Sequence, residues 1–108
     1  MLYSVYAEVI RFHMMVVVAY DVCTEDKEGR RLRRVAQACK DYGQRVQKSV
    51  FECLVRDADW VRLRSRLLTE FSPKEDSLRF YFLDEFSRER TEHHGVGKPI
   101  DLDGVLVV

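Results

Sequence analysis

Nowhere along its 108 residues does the chain gather the roughly 18 consecutive apolar residues that a membrane span needs, so no spanning helix and no membrane partner is expected. Residues 1–13 lack the basic start, long apolar core and small-residue cleavage site of a secretory signal. Cysteine is sparse: Cys23, Cys39 and Cys53 are odd in number, widely spaced and form no C-x-x-C pair, which argues against a disulfide framework and a zinc site alike. A reducing cytoplasm is the simplest compartment for such a chain. Net charge is missing too, because 18 basic and 18 acidic side chains cancel. The overall balance therefore gives no argument for a polyanionic partner.

What the chain has in quantity is apolar and charged residues, 46% and 33%. That composition and length fit one small globular domain with a large share of its surface exposed, a shortage of burial that dimerisation would relieve. The charge is also segregated. Between Lys27 and Lys48 lie eight basic residues (Lys27, Arg30, Arg31, Arg33, Arg34, Lys40, Arg45, Lys48) against two acids, Glu28 and Asp41. Met1 to His13 precede a second pair of possible start residues, Met14 and Met15. They are set apart as a leader, an artificial extension or the product of an upstream start codon, and the domain is placed at 14–108.

Alternating elements follow. Met14 to Asp21 is a continuous, valine-rich apolar run, too short for an ordinary helix, and predicts a central strand buried on both faces. Leu32, Val35, Ala36, Cys39 and Tyr42 recur at helical spacing and predict a helix over about 28–42, with Gly43 as its stop. Arg45 to Val55 reads as two short strands with a tight turn or bulge near Lys48 and Ser49. Asp57 or Asp59 would cap a second helix whose apolar stripe is Trp60, Leu63, Leu67, Leu68 and Phe71, ended by Ser72-Pro73. Ser77 to Leu83 alternates as a fourth strand, and a terminal apolar run, Gly104 to Val108, predicts a further strand that could pair with a second protomer. Strand-helix-strand-strand-helix-strand is the α+β, ferredoxin-like split βαβ order, an antiparallel sheet with two helices on one face.

The fold leaves chemistry open. The sharpest chemical feature is the apolar strand that ends on one carboxylate, Asp21, shortly before the arginine run Arg30-Arg31-Leu32-Arg33-Arg34. Four arginines in five positions forgo the acid-base pairs that stabilise a solvated helix, which favours contact with phosphate. Aspartate is also common in turns, so the residues alone leave Asp21 open between turn former and metal ligand. Arg62, Arg64 and Arg66 fan around the second helix as plain surface. His93 and His94 have no partner at ligand spacing. The acidic stretch from Asp21 to Gly29 puts Cys23 where a calcium loop needs oxygen. Val50 to Val55 lacks the paired sheet aromatics of an RNA-binding module.

Met15-Val16-Val17-Val18-Ala19-Tyr20-Asp21-Val22, the Gly29-to-Val35 helix start, Tyr42-Gly43-Gln44-Arg45-Val46-Gln47-Lys48-Ser49-Val50-Phe51-Glu52 and Ser77-Leu78-Arg79-Phe80-Tyr81 together resemble the CRISPR-associated protein two family. The resemblance covers 14–108, and the His-x-Gly, Lys-Pro and apolar terminus look most like type I-C members. It implies a ferredoxin-like homodimer, a metal-dependent endonuclease acting on RNA or DNA, and alternatively a non-catalytic adaptor that holds duplex DNA and bridges the CRISPR-associated integrase during spacer acquisition. It puts the metal ligand at Asp21, catalytic positions at Asp21, Ser49 and Phe51, and nucleic-acid contacts at Tyr20, Arg30, Arg31, Arg34 and Arg45. One carboxylate per chain is thin for Mg2+, which wants six oxygens; two Asp21 residues meeting across a dimer axis could share one ion.

Overall fold

A computed structural model of the chain describes residues 13–25, 27–83 and 90–96. Strand β1 (Met14–Asp21) lies inside an antiparallel sheet, between β3 (Val50–Val55) and β4 (Ser77–Leu83), and β2 (Gln44–Gln47) pairs with the outer edge of β3. The resulting order β2-β3-β1-β4, with α1 (Arg30–Tyr42) and α2 (Asp57–Glu70) between strands, is the expected ferredoxin-like arrangement.

Strand parity decides which residues meet the helices. Val18 lies opposite Phe51 on β3 and Phe80 on β4, and Val16 opposite Cys53 and Phe82, so these side chains share one face. On that face Val16, Val18, Phe51 and Cys53 are fully enclosed together with Val35, Ala38 and Cys39 of α1 and Leu63 and Leu67 of α2. Trp60 closes the β4 side, its ring edge-on to Phe80 at 4.8 Å and to Phe82 at 5.4 Å. The opposite face of β1 is less covered than a doubly buried strand would be. Val17 and Ala19 are half-buried, and Tyr81 beside Val17 is exposed. Both helices lie on the other side of the sheet, which is the reason.

Three local expectations change. α1 begins at Arg30 rather than 28, because Glu28 and Gly29 take left-handed backbone angles (φ 60° and 71°) and form a separate turn with Lys27. Gly43 stops α1 as expected, in extended conformation. Its missing side chain serves packing: a Cβ there would sit 2.5 Å from the Glu52 carbonyl oxygen and 2.9 Å from the Cys53 Cα. Asp57 and Asp59 lie within the first turn of α2 and make no side-chain cap; their charges still favour that end of the helix. Leu68, placed in the apolar stripe, is exposed, whereas Leu63 and Leu67 are buried. The leader up to residue 12, residues 97–103 and the terminal run Gly104–Val108 lie outside the described residues.

Candidate nucleic-acid and metal site

Alternation along β1 sends Tyr20 inward and Asp21 to the opposite side at the strand's exposed end. Tyr20 is tied down from its backbone as well, its N–H donating to the Ser49 carbonyl at 3.0 Å. This single bond holds the β2–β3 turn, Lys48 and Ser49, against the end of β1. Within the hairpin Arg45 lies opposite Phe51, and a register shift follows before Gln47 pairs with Val50. The Arg45 guanidinium sits over the Phe51 ring, 5.1 Å from its centroid, while Tyr20 stacks on the same ring at 6.2 Å. Burial pushes the Tyr20 phenol above its usual pKa and the nearby Cys39 adds to the shift; the charge and hydrogen bond of Arg45 oppose it without cancelling it.

Tyr20, Phe51 and Arg45 thus form one stack. Phe51 has no exposed surface, so it stands behind the site and braces Arg45 rather than meeting a substrate. Strand parity puts Phe51 on the core side of β3, behind Arg45.

A groove of about 780 Å³ opens beside this stack. The end of β1 supplies Tyr20 and Asp21, followed by Val22; α1 supplies Leu32, Arg33, Ala36, Gln37 and Lys40; the hairpin supplies Arg45, Lys48 and Ser49. Four of the sequence-derived site residues, Tyr20, Asp21, Arg45 and Ser49, therefore converge. The three arginines read from the run at 30–34 do not line this groove. Arg31 is drawn into a tertiary ion pair: its Nε donates to Asp76 at 2.8 Å, and its terminal nitrogen reaches Asp76 and Glu75 at 3.0 and 3.1 Å. Arg34 faces Glu70 at 3.5 Å, and Arg30 is exposed. The run forgoes pairing within its own helix by pairing with acids from other parts of the chain.

Arg33, Lys40 and Lys48 take the vacated place. Arg33, Gln37 and Lys40 recur at helical spacing on the flank of α1 beside Leu32 and Ala36, a periodicity visible in the sequence once the core stripe is drawn. Arg33 also donates to the Glu28 carbonyl. Asp76 had no sequence signal at all. Its side chain is fully enclosed and accepts from the backbone N–H groups of Cys23 (2.9 Å) and Ser72 (2.7 Å) besides Arg31. Arg31, with those backbone donors, holds its carboxyl well below the ordinary carboxylate range despite burial.

Burial raises the Cys39 and Cys53 thiols to about 12, which removes them as nucleophiles at neutral pH. Arg66, read as plain surface, holds Asp41 at 2.8 Å. His93 and His94 are exposed. Among the described residues no three His, Cys, Asp or Glu side chains gather as a metal site. Asp21 is solvent-facing at a strand end, which suits a hard cation that keeps most of its water, yet among the described residues it is the single carboxylate lining the groove.

The family model of CRISPR associated protein Cas2 matches residues 14–91, which contain β1 to β4, α1, α2 and the groove. The chain belongs to the Cas2 family. A Cas2 relative from Chlorobaculum tepidum, named a CRISPR-associated endoribonuclease, is 58% identical over 88% of this chain and all of its own length. One from Halalkalibacterium halodurans, named a CRISPR-associated endonuclease, is 43% identical over 87% of this chain and 99% of its own. The crystal structure of Streptococcus pyogenes Cas2 at pH 6.5 superposes with a TM-score of 0.66 and 53% identity, covering 76% of this chain and 100% of that one. All three likenesses exceed the level at which only the fold is shared. The type I-C likeness of the tail falls largely outside the described residues, and none of the described helices is long and apolar enough to cross a membrane.

Proposed function

We propose that this Cas2-family chain is a homodimeric, Mg2+-dependent endonuclease of the CRISPR spacer-acquisition machinery, hydrolysing phosphodiesters of RNA or DNA at paired Asp21 residues. The observation that carries the reading is the exposed Asp21 carboxylate at the mouth of a groove whose walls bear Arg33, Lys40, Arg45 and Lys48. The relatives named endoribonucleases and endonucleases support the reaction class. Asp21 from each of two protomers would hold the ion, and a bound divalent cation supplies Lewis-acid polarisation of a phosphoryl oxygen and a more acidic water.

The remaining work falls to the protein's own groups. Arg45, fixed by the Phe51 ring and the Tyr20 hydroxyl, is a preorganised cation for a phosphate oxygen, so little side-chain entropy is lost on binding. The Ser49 hydroxyl, held beside Tyr20 by the turn hydrogen bond, can donate to the same phosphate. Lys40 and Lys48 contribute charge along the strand.

The thin carboxylate supply among the described residues favours a second reading, a dimeric adaptor that holds duplex DNA on its basic surface and bridges the CRISPR integrase without hydrolysis. Titrating Mg2+ against labelled single-stranded and duplex RNA and DNA separates the two. The endonuclease reading expects metal-dependent cleavage that Asp21→Asn abolishes while binding persists. Duplex binding and support of spacer integration with no cleavage under any divalent metal would establish the adaptor instead.

A further inference from the structure

We propose that the Asp76–Arg31 ion pair is a positioning device for Asp21: it fixes the backbone beyond and opposite that residue and so sets the direction in which its carboxylate leaves the sheet. This rests on the reading of Asp21 as a metal ligand.

Asp21 is the last residue of β1, and a strand end opens more readily than a strand centre unless something ties it down. Residues 22–25 have no regular structure. Val22 turns into the core there, and the Cys23 N–H donates to the Asp76 carboxylate at 2.9 Å. Across the sheet Asp21 lies opposite Ser77, the first residue of β4, which Asp76 immediately precedes. One carboxylate therefore reaches the residue two beyond Asp21 through a hydrogen bond and the residue opposite Asp21 through the chain itself.

Asp76 can hold both because it is itself held. The N–H groups of Glu75 and Asp76 donate to the Ser72 carbonyl at 3.1 and 2.8 Å, and the Ser72 N–H returns to the Asp76 carboxylate at 2.7 Å. Arg31, the second residue of α1, grips the same carboxylate with Nε at 2.8 Å and a terminal nitrogen at 3.0 Å. The Asp76 side chain is fully enclosed and that of Arg31 is 17% exposed, whereas the Arg62–Asp59 and Arg66–Asp41 pairs join side chains 42% exposed or more. Exposed pairs like the latter two contribute little. An apolar contact could close the same gap, but two parallel N–H···O bonds fix angle as well as distance. Groups that hold a metal ligand without touching the metal act in this way, and their loss weakens metal binding by about ten- to a hundredfold.

The test uses the full chain and two readouts. In the metal-free protein, amide hydrogen exchange at Cys23, compared with Val18 inside the sheet, reports the clamp. Binding of Mn2+, a paramagnetic substitute for Mg2+, is measured without nucleic acid and reports Asp21. Arg31→Lys keeps the charge but loses the two-pronged grip; Asp76→Asn keeps the shape but loses the charge. Each should speed Cys23 exchange relative to Val18 by about tenfold and weaken Mn2+ binding by about tenfold. Glu75→Gln removes only the exposed arm of the pair and should leave both readings near the parent's. Val55→Ala weakens the core at the opposite end of β1 from Asp21 and should leave Mn2+ binding unchanged, which separates positioning from general stability.

Unchanged Cys23 exchange in both clamp variants overturns the clamp. Faster exchange with Mn2+ affinity like the parent's overturns its hold on Asp21, and an equal loss of affinity in Val55→Ala reduces the pair to general stability. Failure of the metal reading looks different, with Asp21→Asn binding Mn2+ no more weakly than the parent; Cys23 exchange then decides the clamp by itself.

Discussion

Asp76 shows how a single residue can be decisive in structure and silent in sequence. Its carboxylate holds the segment after β1, through the Cys23 N–H, to the segment before β4, through the Ser72 N–H, with Arg31 as counterion. Replacing it with Asn takes the enclosed carboxylate from the mostly buried Arg31 guanidinium and leaves it the exposed Glu75, and about 2 kcal/mol of stability should be lost in chemical denaturation. The pH dependence has a definite sign. The folded state holds the Asp76 pKa below its unfolded value, so the unfolded chain binds the extra proton. Stability from this group is complete above the unfolded carboxylate range near pH 4 and is lost as pH falls toward the depressed folded value. Asp76→Asn should therefore flatten the acid limb of the stability curve; an acid limb as steep as the parent's would remove Asp76 as its source. At Gly43, Ala should cost about 1–3 kcal/mol because its methyl meets the Glu52 carbonyl and Cys53, and thermal denaturation reads this directly. Tyr20 and Asp21 were legible because strand parity and a strand end suffice to place them. The Arg31–Asp76 pair was illegible because its partners lie 45 residues apart, and no local periodicity encodes such a pair.

Elements were more legible than single side chains. β1 and β4 begin and end where valine enrichment and clean alternation put them, at Met14–Asp21 and Ser77–Leu83. The α1 stripe survives with Leu32 and Tyr42 at its partly buried margins, since helical periodicity reports the buried face whatever covers it. α2 is less faithful at Leu68, which is exposed while Leu63 and Leu67 are buried and Trp60 packs against the core. What its periodicity could not reveal is the Trp60 contact with two aromatic rings of β4. A double-mutant cycle on Trp60 and Phe80 should return a coupling of about 1 kcal/mol beyond the separate losses. Additive effects would reduce that contact to plain burial. The groove is half legible in the sequence: strand parity and the hairpin mark Tyr20, Asp21, Arg45 and Ser49, while the 33-37-40 spacing of the α1 flank is masked by the denser arginine run around it.

At the scale of the whole molecule, the sheet presents one face to the helices and leaves the other, with Val17, Ala19 and Tyr81, only partly covered within one protomer. A second copy covering that face fits both the small core and the apolar run at Gly104–Val108. Deleting residues 103–108 should weaken self-association in sedimentation equilibrium and promote aggregation, and an unaltered dimer would take the tail out of the interface. On the proposed function dimerisation would give the site its second carboxylate, so the proposal that one ion is shared by two Asp21 residues is a proposal about subunit stoichiometry. Metal-dependent cleavage by the parent, by Asp21→Asn, and by an equimolar mixture re-equilibrated through dissociation tests it most directly. With mixed dimers lacking one ligand, the account predicts no cleavage by Asp21→Asn and a mixture retaining about a quarter of the parent's activity, the share of dimers with both aspartates under random pairing. Retention of half the activity, or cleavage by the Asp21→Asn protein alone, would contradict it.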